Sequence, residues 1–444
     1  MLIVLLVLAI AFIVISTTKF KLHPFLALIF AAIGYGLFSG MPLSDIVSSV
    51  NTGFGNIVGQ IGIVIVVGCI IGAFLEESGG AYVLARSSMK IFGEKRVPLV
   101  MLVLGYIISI PVYADSGFVI LTPLNKALTK KANLSFACTA IALSLGLTIT
   151  HCLVPPTPGP IAGAAILEAD LGLVILTGFI ASLFVLLVSY FYVTKYASRI
   201  YVDPSPDQKD EEIEKKVKEA PSALKSFIPI IVPLVLIVLK SVSDFPTNPL
   251  GTGTFKTIVG FIGQPVVALL IGMLFSFLLP KKFELDMLST SGWVGKSLTS
   301  AAVIIMITAA GGSFGRVLTD SGIADVLGET LSKAHLGIWL PFLIAAALKT
   351  SQGSSTVAIV TTASIIAPLM PMLGFISPME KALAVTAVCS GAMVVSHVND
   401  SFFWVVTQMT GMSIKQGYKL HSLGTLIGGL TSMVVVWATF TFFC

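Results

Sequence analysis

The chain has 444 residues, of which 55% are hydrophobic and only 11% are charged, and its mean hydropathy is +0.97. Soluble domains carry about 25% charged residues, so this composition excludes a soluble globular protein. The net charge of +5 is not arranged in a basic stripe with interleaved aromatic residues, so no nucleic-acid partner is expected. The five cysteines are scattered, without CxxC or Cys/His spacing. We interpret them as small apolar side chains and predict neither a metal site nor a cofactor.

Apolar stretches near or above the about 20 residues that cross a bilayer recur along the whole chain. They run from Met1 to Ile15, Phe25 to Leu37, Ile57 to Leu75, Leu171 to Tyr190, Phe227 to Leu239, Val266 to Leu279 and Leu423 to Phe443. This pattern predicts an all-α polytopic membrane protein, because a β-barrel would show short alternating segments instead. The first stretch lacks a preceding basic region and a clear cleavage site, so it is interpreted as a retained helix rather than a signal peptide.

One hydrophilic segment, residues 199–226, interrupts the apolar pattern and is predicted to be a solvated linker. It separates a first transmembrane repeat, residues 1–198, from a second, residues 227–444. The two halves look related, because Gly72–Ala85 aligns without gaps on Gly315–Gly328 with seven identical residues. We therefore expect two inverted repeats with about 10 to 12 transmembrane helices and two re-entrant hairpins.

The first hairpin, residues 97–128, is predicted around the segment "PVYADSG". Its 32 residues are too many for one membrane-spanning helix and too few for two full crossings. Lysines stand at both ends, so the positive-inside tendency favours a re-entrant hairpin that opens to the cytoplasm. The second hairpin, residues 336–373, contains "KTSQGSST" and has few basic residues at its exit, which favours opening to the other side. Interrupted helices in matching positions indicate the binding site of a secondary transporter.

Three ionisable residues lie in apolar surroundings: Asp115, Lys349 and Asp400. A charged group at the centre of a bilayer costs about 2.5 to 3.5 kcal/mol even on the mildest scales, and such groups face cavities and pair with one another or with ligands. We predict that Asp115 is the main proton carrier, since desolvation favours its protonated form. Asp400 is the second candidate. The alternative for Asp115 is a structural carboxylate that caps a half-helix, and both roles could coexist.

The tip of the second hairpin offers hydroxyl, amide and glycine groups beside a predicted half-helix N-terminus, which attracts anions. A polar kink, in which the hydroxyls satisfy backbone groups, is the alternative. Each half then carries a histidine-containing segment, "THCLVPPTPGP" at residues 150–160 and "SHVNDSFFW" at residues 396–404. The prolines of the first segment preclude a continuous helix. A lone membrane histidine is more often a hydrogen-bonded packing residue, but two in matching positions make a site about equally plausible.

These segments resemble the gluconate permease family, which comprises proton-coupled importers of sugar acids and includes a D-serine transporter. The similarity spans the whole chain and includes "KFKLHPFLAL", "VPPTPGP", "QGSSTVA", "IIAPLMP" and "SHVNDSFFW". The family belongs to a wider ion transporter superfamily with inverted repeats and two re-entrant hairpins, so the resemblance implies that architecture here. Relatives typically carry Glu-Val-Gly where this chain has Asp115-Ser116-Gly117, and arginine or histidine near the position of Lys349. These differences leave the substrate open between gluconate or a related sugar acid and a smaller hydroxy acid such as glycerate.

The resulting hypothesis is that the chain is a secondary transporter and not an enzyme. It would import a small hydroxy-carboxylate across the bacterial inner membrane by proton symport with alternating access. The residues predicted to bind the substrate are Ser116, Gly117, His151, Lys349, Gln352, Gly353, Ser354, Ser355, Thr356, His397 and Asn399. The expected partners are the carboxylate, the coupling ion and membrane lipid, and a homodimer is left open beside a monomer.

Two alternatives to this hypothesis stay open at the level of sequence. A Na⁺-coupled organic-anion symporter is the first, because hairpin tips rich in serine and threonine also suit sodium. An intramembrane enzyme that uses a serine with His151 or His397 is the second. Against it stands the absence of a nucleophile motif with a placed base.

Overall fold

The computed structural model describes residues 2–80, 83, 96–110, 113–204, 220–243, 251, 253–323, 336–397 and 400–444. Within these ranges the chain forms helices joined by turns and contains no β-strand. The helices of the first half are α1 (Leu2–Thr18), α2 (Pro24–Ser39), α3 (Leu43–Glu77), α4 (Val97–Ile108), α5 (Ala114–Lys131), α6 (Phe136–Leu153), α7 (Pro158–Ile166) and α8 (Leu171–Lys195).

The second half begins with α9 after the linker region. Its helices are α9 (Ala223–Ser243), α10 (Thr254–Ile262), α11 (Pro265–Ser276), α12 (Trp293–Asp320), α13 (Trp339–Gln352), α14 (Ser355–Ile366), α15 (Pro378–Ala392), α16 (Ser401–Thr410), the four-residue α17 (Ile414–Gly417) and α18 (Leu423–Phe443). A π-helical turn, Tyr418–Ser422, joins α17 to α18. Such turns are rare and occur frequently at functional sites.

Local sequence explains where several of these helices begin and end. Pro24 occupies the first turn of α2, where a missing N–H is tolerated, and Gly40 ends the helix in the left-handed region with φ +85°. At the start of α15 the Ser377 side chain accepts from the Glu380 N–H, and the Glu380 side chain accepts from the Ser377 N–H in a capping box. These caps fix the ends of helices whose apolar bodies are buried or face lipid.

The described helices confirm an all-α polytopic membrane protein. Five of them are long and apolar enough to cross a bilayer, or up to seven if each of two bent pairs is one span. The two bent pairs are the two parts of α3, Leu43–Gln60 and Gly62–Glu77, and α10 with α11. Shorter apolar helices include α2, α4, α13 and α14, each of them below the about 17 residues that a full crossing needs.

Helices from the two halves pack closely at the centre of the molecule. The longest described helix, α3, packs along α12, where Gly53 and Gly312 let the two backbones meet. Elsewhere α4 packs on α6 through Gly105 and Gly146, and α13 packs on α15 through Gly391. A Cβ atom at Gly146 would collide with the Leu102 carbonyl, so the α4–α6 contact requires glycine there.

The two halves repeat the same order of elements. A long helix (α3 or α12) is followed by two shorter helices (α4–α5 or α13–α14), a broken helix (α6–α7 or α15–α16) and a final long helix (α8 or α18). The local structure matches too, since Ser78 and Ser321 each follow the long helix. Gly79 and Gly322 then adopt positive φ angles of 77° and 71°. This order supports the internal repeat that the sequence predicts.

Two predicted interruptions have described helix ends on both sides, whereas residues 111–112 of the first predicted hairpin and residues 398–399 of the second histidine-containing segment lie outside the described residues. The proline-rich segment separates α6 from α7 at residues 154–157, and α15 ends at Ala392, eight residues before Asp400 caps α16. The domain boundaries at residues 198 and 227 stay predictions. Residues 205–219 of the linker and residues 81–82, 84–85 and 324–328 of the internal match lie outside the described residues.

Candidate functional site

The polar helix ends of both halves surround one central cavity of about 430 Å³. The N-terminal residues of α5, α14 and α16 line it, together with Thr148 and His151 of α6 and Ile304 and Ile307 of α12. The first backbone N–H groups of a helix have no partner within it, and the helix dipole places partial positive charge at that end. Three such helix ends directed at one cavity favour an anionic ligand.

The turn between α13 and α14 forms one wall of the cavity. Gly353 adopts φ +83°, a left-handed conformation that ends α13, and Ser354 is extended and caps α14 by accepting from the Val357 N–H at 3.3 Å. The Lys349 ammonium lies buried in the last turn of α13 and donates to the Gly353 carbonyl at 2.5 Å. The second predicted hairpin therefore presents its glycine, its hydroxyls and a cation to the same cavity.

Lys349 also forms a buried ion pair with Asp400. The Lys349 Nζ lies 2.6 Å from Asp400 Oδ2, and the two side chains are only 3% and 10% exposed. The other carboxylate oxygen, Oδ1, accepts from the Phe402 N–H at 3.0 Å and so caps α16. The pair joins the tip of α13 to the start of α16, and the two charges compensate each other.

Asp115 lies across the cavity from this pair, in the first turn of α5. Its one hydrogen-bond partner in the part of the chain that the structure describes is the Ser401 hydroxyl, which donates to Oδ2 at 3.3 Å. The N-terminal position lets the α5 dipole stabilise the carboxylate, and among the described residues no backbone N–H donates to its side chain. Asp115 is thus the carboxylate of the cavity with the fewest fixed contacts.

The structure brings some of the predicted binding residues to the cavity and not others. Lys349, Gly353, Ser354, Ser355, Thr356 and His151 line it, with both carboxylates. His151 Nδ1 is buried and has no hydrogen-bond partner among the described residues. Gly117 instead packs against Leu147 and Ile108. Asn399 lies outside the described residues, as do the side chains of Ser116 and Gln352.

His397 does not line the cavity. Its Nε2 lies 2.7 Å from the Thr350 carbonyl oxygen, and its ring stacks on Tyr418 with a centroid distance of 6.2 Å. It therefore ties the segment before α16 to the last turn of α13. His151 and His397 consequently occupy different environments, although the sequence suggested matching positions.

The sequence alone did not predict a network of buried hydrogen bonds that starts at Asp400 of the ion pair. The Ser396 hydroxyl donates to Asp400 Oδ2 at 2.5 Å, His421 Nε2 lies 3.0 Å from Ser396 Oγ, and Ser144 Oγ lies 3.2 Å from His421 Nδ1. His421 belongs to the π-helical turn before α18. Ser396 stands within the quoted segment "SHVNDSFFW", but His421 lies in "GYKLHSLG" without a distinctive spacing, so only the tertiary structure connects them.

Comparisons with known proteins agree with this architecture. A family model described as GntP family permease matches residues 1–442. The gluconate permease of Pseudomonas aeruginosa is 34% identical over 432 residues, which cover 95% of this chain and 94% of that protein. The Escherichia coli K12 inner membrane permease YgbN is 33% identical over 436 residues, 94% of each chain. The D-serine transporter DsdX of the same strain is 31% identical over 431 residues, 96% of each chain.

A solved structure shares the fold. The crystal structure of the Alcanivorax borkumensis YdaH transporter, described as having an unusual topology, superposes with a TM-score of 0.62 at 17% identity. The match covers 95% of this chain and 99% of that one. The permease relatives and the apolar helices identify a multi-pass inner membrane transporter rather than an enzyme. The chain belongs to the GntP family of permeases.

Proposed function

We propose that the chain imports a small hydroxy-carboxylate by proton symport with alternating access. Gluconate or a related sugar acid is the proposed substrate class, and the smaller hydroxy acid glycerate is a further candidate. The observation that carries the proposal is the composition of the central cavity. It combines three helix N-termini and a paired cation with one loosely held carboxylate.

The anion-binding side of the cavity is proposed to be the start of α14 with Lys349. Ser354, Ser355 and Thr356 supply hydroxyls at a helix N-terminus, where backbone N–H groups also point outward. Gly353 lets the backbone approach a ligand closely. A substrate carboxylate would bind these donors, and its hydroxyl groups would bond His151 and Thr148 across the cavity.

The proton is proposed to bind Asp115 because of the charge balance in the cavity. Lys349 and Asp400 compensate each other, which leaves Asp115 as the cavity carboxylate without a paired cation among the described residues. An anionic substrate beside an ionised Asp115 would bring two like charges together in a partly dehydrated site. Protonation of Asp115 removes that repulsion, so the proton and the substrate increase each other's affinity, which is the thermodynamic requirement for symport. Asp400 is less suited, since both of its oxygens already accept hydrogen bonds.

Uptake of labelled gluconate, glycerate or D-serine into proteoliposomes tests this function. We expect an inward proton gradient in sodium-free buffer to drive accumulation of at least one of the two hydroxy acids. Failure to accumulate either acid under any imposed gradient would overturn the proposed substrate class.

Sodium coupling is the second candidate, and the oxygen-rich lining of the cavity favours it. Hydroxyls of Thr148, Ser355 and Ser401 face the same space as two carboxylates, and hard cations prefer oxygen ligands. Accumulation that requires a sodium gradient and ignores a proton gradient would select this candidate. Accumulation in the absence of sodium would exclude it.

A further inference from the structure

Ser396 is held at all three of its polar groups by one short segment of the chain. Its N–H donates to Thr425 Oγ1 at 3.1 Å, its carbonyl accepts from the Ser422 hydroxyl, and its hydroxyl oxygen lies 3.0 Å from His421 Nε2. Ser396 itself belongs to the irregular segment between α15 and α16. The π-helical turn and the first turn of α18 therefore fix this serine in one orientation.

The direction of the hydrogen bonds determines the tautomer of His421. The Ser396 hydroxyl donates to the carboxylate of Asp400, so its oxygen must accept from His421, and Nε2 carries the hydrogen. Nδ1 lies 3.2 Å from Ser144 Oγ, whose hydroxyl also donates to the Ile141 carbonyl at 3.0 Å, so the tautomer is assigned from the Ser396 side alone. His421 is fully buried, and the rings of Phe402 and Phe403 pack against it. Asp400 and Lys349 are the charged groups of this network, and within the described ranges the hydrogen bonds from His421 lead to them through Ser396.

We propose that His421 is a positioning residue that makes Lys349 available to the substrate. This inference rests on the proposed function. By holding the Ser396 hydroxyl on Asp400, His421 gives the buried carboxylate a second donor besides the Phe402 N–H. The Asp400 carboxylate then keeps its hydrogen bonds from the Ser396 hydroxyl and the Phe402 N–H when Lys349 turns toward a substrate carboxylate. Without the hydrogen bond from Ser396, Lys349 is the main group that compensates the buried charge of Asp400, so it stays paired with Asp400.

The test compares two uncharged replacements that differ in reach. In His421→Gln the side-chain amide nitrogen takes the place of Nε2 and can still donate to Ser396, whereas the shorter side chain of His421→Asn cannot. We expect His421→Gln to retain the gluconate KM of the unsubstituted protein in proteoliposome uptake. We expect His421→Asn to raise KM about tenfold, equivalent to about 1.4 kcal/mol, with a much smaller change in Vmax.

Two further variants separate positioning from packing. Ser396→Ala should reproduce His421→Asn, and the double variant should add little to either, because both remove the same bond. Ser390→Ala is the matched control: it removes the buried Ser390–Ser432 hydrogen bond of 2.6 Å between α15 and α18, which has no link to Asp400. Its KM should not change.

Each outcome decides between distinct explanations. Equal loss of uptake in His421→Gln and His421→Asn would overturn the positioning role, because only the glutamine keeps a donor to Ser396. An unchanged KM in His421→Asn, or the same rise in Ser390→Ala, would also overturn it. Failure of the unsubstituted protein to transport gluconate or glycerate would instead overturn the proposed function, and with it this inference.

Discussion

Lys349 Nζ and Asp400 Oδ2 lie 2.6 Å apart in a buried ion pair that connects two elements 51 residues apart in sequence. Removal of one member of such a pair leaves an uncompensated charge, which costs about 3 to 5 kcal/mol. We expect Lys349→Met or Asp400→Asn to lower the free energy of unfolding by an amount in that range. The double variant should lose less than the sum of the two, as measured by thermal or denaturant unfolding in detergent.

The Arg316–Asp320 pair provides the control for this stability prediction. Arg316 Nε lies 2.8 Å from Asp320 Oδ2, but the arginine side chain is 48% exposed. Arg316→Gln should therefore change stability by no more than about 1 kcal/mol. Additive losses for Lys349→Met and Asp400→Asn would show that the two charges do not depend on each other.

The left-handed glycine at the tip of the second hairpin gives a prediction about the substrate. Gly353→Ala forces φ +83° on a residue with a Cβ, which costs about 1 to 2 kcal/mol. Gly411 has φ +69° and open space around it, away from the cavity, so Gly411→Ala carries a similar strain. We expect both variants to lose similar stability in unfolding experiments, and only Gly353→Ala to raise the KM for uptake.

The two predicted histidines should respond differently to replacement. His151 lines the cavity, so His151→Asn should raise the KM for gluconate with little loss of stability. His397 instead contacts the Thr350 carbonyl outside the cavity, so His397→Asn should chiefly lower the unfolding midpoint. Uptake kinetics and thermal unfolding of the same preparations separate the two effects. The reverse pattern would contradict the assignment of the cavity.

Lengthening the carboxylate at the first hairpin should change substrate preference. Asp115→Glu keeps an acidic group in the cavity but adds a methylene toward the substrate. We expect proton-driven accumulation to persist and the ratio of kcat/KM for glycerate against gluconate to change. The ratio measured by competition uptake is the readout, and an unchanged ratio would show that residue 115 does not help select the substrate.

The polarity pattern was sufficient to predict the helical membrane architecture and much of the cavity. Asp115, Lys349 and Asp400 were identifiable because charges are rare and costly in apolar stretches, and Gly353 because a glycine interrupts two helical segments. The break after α6 was predictable because prolines lack a backbone N–H and cannot continue a helix.

The remaining features depend on contacts between residues distant in sequence. The packing of α6, α13, α16 and the π-helical turn pairs Lys349 with Asp400. The same packing places Ser396 and His421 so that they hydrogen-bond in sequence to Asp400. His397 could not be separated from His151 by sequence, because a polar residue near a broken helix can face a cavity or satisfy a backbone carbonyl. Only the positions of α13 and Tyr418 distinguish these environments.

Proton coupling through Asp115 is the central claim, and Asp115→Asn tests it most directly. Proteoliposomes containing this variant should exchange external labelled gluconate for internal unlabelled gluconate, because exchange needs no net proton movement. They should fail to accumulate gluconate against its gradient when an inward proton gradient is imposed. Loss of accumulation with retained exchange is the result we predict, and full concentrative uptake by Asp115→Asn would contradict the account.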